Sequence, residues 1–168
     1  ISFGNIGLND IMVTTRSLGS RYLAVVTASM VNLGEQTLLE NFKLRSSSNR
    51  DQMHGALLWD DQQAKPTKGQ VEFVLNSTVD TNLISIVNQE ITIHGEPWSI
   101  QETSPVLMSR QGMVIDDLKL ISEGHSIVAD LNRQHTPSDY LQLTFDQFDV
   151  QSAKVWLEPL GFNVEGFI

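Results

Sequence analysis

A curved, mostly antiparallel all-β fold is what the sequence predicts, and three observations predict it. Apolar residues recur in period two along much of the chain, as at Val71, Phe73 and Leu75 or at Leu141, Leu143 and Phe145, which is the spacing of one face of a strand. Hydrophobic residues make up 40% of the chain and charged residues only 18%, so the polar faces must be built from Ser, Thr, Asn and Gln. That composition suits strands better than exposed helices rich in Glu and Lys. Finally, the alternation slips where it would otherwise be strict, and an extra residue that absorbs such a slip is a β-bulge, which bends and twists a sheet. A closed β-sandwich would produce the same alternation and is the alternative architecture.

The slip is clearest in Met113 to Leu131, where Met113 and Ile115 keep one phase and Leu118 and Leu120 keep it again after a three-residue step across Asp116-Asp117. Ser122-Glu123-Gly124 then reads as a turn, followed by alternating Ile127, Ala129 and Leu131. The six-residue centre of this stretch, apolar-polar-polar-apolar-any-apolar, occurs four times, as Leu8–Val13, Leu39–Leu44, Ile115–Leu120 and Phe145–Val150. Each copy has Asn, Asp or Gln directly before its second apolar residue, and the starts are spaced by 31, 76 and 30 residues. Two nearly equal gaps suggest a quasi-repeat of sheet-forming units, with one copy diverged or replaced inside the long gap.

Taken in order, Ile6 to Thr15 opens on the first copy and Arg16 to Ser20 reads as a turn. Arg21 to Val31 is the longest apolar strand, Thr37 to Ser46 carries the second copy, and Ser46 to Arg50 is a polar turn before a strand from Met53 to Trp59. Asp60 to Lys68 is a loop by its charge and its proline. Gly69 to Ser77 resumes clean alternation. Asp80 to Asn88 fits either a short helix or a strand, and reads as an irregular or single-turn connection; Ile91 to Trp98 reads as one strand ending at a Gly and Pro break. Tyr140 to Phe145 is a strand, and a short helix runs from the N-cap Ser152 to Leu157 before Pro159 and Gly161 end it. No linker or composition shift divides residues 1–168, which form one β-rich unit. The closing Val164 to Ile168 reads as a strand in progress, so the chain is taken as a piece of a longer protein.

Composition also narrows function. The formal charge is −9, from 11 Lys and Arg against 20 Asp and Glu, without a basic cluster, so the positive stripe that phosphate contacts need is missing and nucleic acid is not an expected partner. There are no cysteines, which removes disulfides, thiolate metal sites and cysteine nucleophiles. The histidines at positions 54, 94, 125 and 135 lack metal-ligand spacing. Asp60-Asp61 and Asp116-Asp117 are adjacent on strands, where neighbours point to opposite faces. No nucleophile, base and oxyanion donors converge in the sequence, so neither an enzyme nor a cofactor or metal is expected. Trp59, Trp98 and Trp156, with the acidic loop at Asp60 to Lys68, support a different class of function: a secreted β-sandwich that binds a glycan or another protein through its loops.

Most of Leu38 to Ile168 resembles the TamB translocation and assembly module proteins of the AsmA-like superfamily, in the form seen in Bacteroides-type bacteria. The resemblance is carried by LLENFKLRSSSNRDQMHGAL at 38–57, GQVEF at 69–73, ITIHGEPWSI at 91–100, GMVIDDLKLISEGHSIVADL at 112–131, PSDYLQLTFDQFDV at 137–150 and the closing VEGFI. The chain departs from the family pattern at Leu131-Asn132, where Gly is frequent, and in the insertion Asn132 to Thr136. The resemblance implies a large periplasmic protein held in the inner membrane by an anchor outside this chain. It further implies a curled sheet with an apolar inner groove, phospholipid acyl chains as cargo, and an outer-membrane assembly barrel as partner. The groove residues chosen by alternation are Val71, Phe73, Leu75, Ile127, Ala129, Leu141, Leu143 and Phe145.

Overall fold

The computed structural model describes residues 2–3, 6–33, 36–101, 105–134 and 139–147. Among them every regular element is a strand: β1 (Ser2–Phe3), β2 (Ile6–Asn9), β3 (Met12–Leu18), β4 (Arg21–Leu33), β5 (Gln36–Asn49), β6 (Gln52–Asp60), β7 (Lys68–Ser77), β8 (Thr81–Ile93), β9 (Glu96–Ile100), β10 (Val106–Ser109), β11 (Gly112–Ser122), β12 (His125–Arg133) and β13 (Tyr140–Asp146). All belong to one 13-stranded sheet, in the order β1-β2-β4-β5-β6-β7-β8-β10-β11-β12-β13. Strand β3 continues the line of β2 along β4, and β9 shares with β10 the position between β8 and β11. Every pairing is antiparallel, so the sheet is essentially a meander. The helix expected at Ser152 to Leu157 lies outside the described residues.

The sheet corrects several local expectations. Asp80 to Asn88 is not an irregular connection: from Thr81 on it belongs to β8, which pairs with β7 from Asn82 to Thr92. The pattern misleads there because Glu72 faces Asn88 while Phe73 faces Ile86, leaving Val87 as the extra residue of a bulge that breaks the period-two alternation. Ile91 to Trp98 is not one strand: His94 and Gly95 both take positive φ (52° and 87°) and form a two-residue hairpin between β8 and β9. Strand β3 runs on through Arg16 to Leu18 before turning at Gly19-Ser20, and β5 runs through the serines to Asn49 before turning at Arg50-Asp51.

The six-residue pattern has a backbone counterpart. Its third residue is Asp10, Asn41, Asp117 or Gln147, and all four adopt left-handed φ, at 47°, 49°, 53° and 53°. Asp and Asn reach this region more readily than other L-residues because their short side chains bond locally. Ser29 Oγ donates to Asp10 Oδ2 at 2.8 Å, Asn41 Nδ2 donates to the Asp60 carbonyl at 2.7 Å, and the Asp117 amide donates to Asp130 Oδ1 at 2.8 Å. His125 Nδ1 meets the Gln147 carbonyl. At the third copy the pairing steps from Ile115 with Leu131 to Leu118 with Ala129, which returns both apolar pairs to one face as the sequence pattern requires. In β7, two strands on from β5, no residue takes left-handed φ. From β5 to β11 there are five antiparallel steps, with four strand positions between them, so the later copies run opposite to the earlier ones.

Two glycines are covered by aromatic rings. A Cβ on Gly55 would lie 2.2 Å from Phe73 Cζ, and one on Gly69 would lie 2.3 Å from Trp59 Cζ2, so each ring lies flat over the glycine opposite it on the neighbouring strand. Gly55→Val is expected to lower stability by about 1–3 kcal/mol through overpacking, and to lose that cost in a chain that also carries Phe73→Ala, where no ring remains to be displaced. Equilibrium urea unfolding of the four-member cycle checks this; additive costs would mean that the ring does not cover Gly55.

Candidate functional site: an uncovered apolar sheet face

Directly opposed residues of an antiparallel pair share a face, so the register assigns every strand residue to one side of the sheet. Starting from β4, Val26 pairs with Leu44 of β5, Leu44 with Leu57 of β6, and Leu57 with Val71 of β7. On the same face Phe73 pairs with Ile86 and Leu75 with Ile84, which meets Val106 of β10. Ile91 pairs with Trp98, and Ile100 with Leu120, which faces Ile127 and through it Phe145. Leu118, Ala129 and Leu143 form the next row.

All the residues proposed from alternation therefore fall on one face. Val71, Phe73, Leu75, Ile127, Ala129, Leu143 and Phe145 are half-buried there, and the backbone of Leu141 stands in the same register opposite Leu131. The strongly charged positions sit on the other face: Arg45, Glu72, Glu90, Lys119 and Asp130 each neighbour an apolar-face residue in sequence. Glu96 and Arg133 reach the apolar face only at strand ends.

This face is not roofed by a second sheet among the described residues, since all their strands belong to the one sheet and very few of their side chains are buried. Of the described residues only Ala28, Ile91, Trp98 and Ser122 are buried (3%, 7%, 8% and 8% exposed), and none of their side chains is completely enclosed. The sandwich alternative is thus not what the described strands form.

Sequence reasoning missed a large part of this surface. Ile84 and Ile86 were hidden by the bulge at Val87, and Ile91 and Trp98 by the hairpin between them; their period-two spacing within β8 was the available signal. Between β9 and β10 the face opens into a cavity of about 560 Å³ lined by Ile84, Ile86, Ile100 and Val106. At its margin the Gln89 side chain replaces a peptide group: the Ile100 amide donates to Gln89 Oε1 at 2.5 Å, and Gln89 Nε2 donates to the Ile100 carbonyl.

The remaining candidates have structural roles. Asp60 Oδ1 accepts the Gln62 amide at 2.9 Å, while the Asp61 carboxylate accepts the amides of Gln63 and Thr67 at 3.2 and 2.9 Å, so the acidic pair shapes its own loop. Asp117 is held at the kink of β11 by the bond from its amide to Asp130. Trp98 is buried and one face of the Trp59 ring lies on Gly69, so the two do not form a shared aromatic platform; Trp156 is outside the described residues. His54 and His94 are exposed. No family model, curated protein or solved structure matches this chain.

Proposed function

We propose that this chain is a segment of a larger periplasmic protein whose apolar sheet face carries phospholipid acyl chains toward the outer membrane, in concert with an outer-membrane assembly barrel. One observation carries the reading: a continuous apolar face from β4 to β13, with charges on the opposite side and no second sheet over it among the described residues. An apolar surface of this extent normally marks a site for a partner, a membrane or a lipid. The order of the segments between Leu38 and Ile168 that resemble the TamB proteins supports lipid as the occupant, and an inner-membrane anchor outside this chain belongs to the same reading. The protein acts on this view by sheltering chains from water, with no covalent chemistry.

Leu143→Asp separates a conduit from a sealed core. Leu143 is only half-buried, so the new carboxylate keeps contact with water, and unfolding stability is expected to fall by less than about 1.5 kcal/mol. In a sealed core an unpaired charge would cost roughly 3–5 kcal/mol. Lipid passage, by contrast, should be blocked. A photo-crosslinking residue at position 143 in the full-length protein should capture phospholipid in cells; its failure to do so in a folded, functional protein would remove the proposal.

A further inference from the structure

The polar face holds a cavity that the acyl-chain reading does not use. It encloses about 440 Å³ over the strands from β4 to β8, with Leu23, Val25, Ala56 and Val87 among its lining and Arg45 and Glu72 beside them. The register builds it. Val25, Arg45, Ala56, Glu72 and Asn88 form one row across five adjacent strands, and the single methyl of Ala56 leaves a hollow between two long charged side chains. Their backbones stand two strands apart, about 10 Å. At the far side Val87, the extra residue of the bulge, is 59% exposed on β8; bulges commonly re-aim a side chain beside a site.

The charges are poised rather than spent on each other. The Arg45 guanidinium takes part in no hydrogen bond or ion pair among the described residues, and Glu72 Oε1 is held by Gln70 Nε2 at 2.7 Å, leaving Oε2 available. An anion at Arg45 alone would be repelled by Glu72, and a cation at Glu72 alone by Arg45. A ligand bearing both charges satisfies both groups at once. We propose that this cavity binds a zwitterionic amphiphile: its anionic group on Arg45, its cationic group on Glu72, and its apolar body against Leu23, Val25 and Val87. The site lies on the opposite face from the acyl-chain surface and does not depend on that reading.

The test uses three probes with one decyl chain and different heads, a sulfobetaine, a sulfate and a trimethylammonium, each below its micelle concentration. Binding is followed by NMR through the Arg45 Nε–H and the Val87 methyls, which report the polar face, with the Leu57 and Leu143 methyls reporting the apolar face separately. The sulfobetaine is expected to bind at the Arg45 and Val87 signals about tenfold more tightly than either singly charged probe, the scale of one charge-assisted hydrogen bond. Arg45→Gln and Glu72→Gln should each weaken it by about tenfold, and the exchange Arg45→Glu with Glu72→Arg should recover much of the loss. Equal affinity for all three probes would overturn the proposal, as would tighter binding of the sulfate in Glu72→Gln than of the sulfobetaine in the unaltered chain. Perturbation of the Leu57 and Leu143 methyls alone would also overturn it, while leaving the acyl-chain reading intact.

Discussion

Gly112→Ala is expected to destabilise the protein by about 3–5 kcal/mol, a large part of the roughly 5–15 kcal/mol that holds a domain of this size folded. Gly112 opens β11 after the Arg110-Gln111 turn, opposite Ser109. Its φ of 145° lies where L-residues are strained, and a Cβ there would sit 1.6 Å from the Arg133 carbonyl oxygen and 2.7 Å from its carbon. The obstructing atoms are backbone, so no side chain can swing away; β11 or β12 must shift, and with it the row that joins Met113 to Arg133. Gly124 is the control, because its φ is also positive at 87° but a Cβ would meet only Gln147 Oε1 at 3.5 Å. Gly124→Ala should therefore cost about 1 kcal/mol, the strain of the turn without the collision. Urea denaturation should show a lower midpoint with an unchanged slope for Gly112→Ala. A loss no larger than that of Gly124→Ala would mean that β11 does not start against Arg133.

Asn41→Val is the second large effect, expected at about 3 kcal/mol. It combines two costs: a β-branched residue in the left-handed region, roughly 1–3 kcal/mol, and loss of the 2.7 Å hydrogen bond from Asn41 Nδ2 to the Asp60 carbonyl, about 1 kcal/mol. Asn41→Gly removes only the second and should cost about 1 kcal/mol, since glycine accepts positive φ freely. The ordering matters more than the sizes. If Asn41 were an ordinary strand residue, valine would be the better substitute and glycine the worse one. The same reversal is expected at Asp117, where φ is 53°, with thermal or chemical unfolding as the readout. Valine more stable than glycine at either position would remove the claim that the recurring hexapeptide encodes a kink.

The sequence by itself determined the strand class, most strand positions and the side on which the best strands turn their apolar residues, because period-two alternation is a local property set by the pleat. It also marked the kinks, since Asn, Asp and Gln recur at the residue whose φ is positive. What only the tertiary structure decided was register and layering. Ile84, Ile86, Ile91 and Trp98 join Val71 and Phe73 on one face through pairings with distant strands and through a bulge whose extra residue, Val87, scrambles the local pattern. The direction of the repeat is likewise a matter of counting strands between copies, which spacing in residues does not convey. Most of all, alternation looks the same in a sandwich and in a single sheet. Whether an apolar face is covered depends on what packs against it, and here the described strands leave it open.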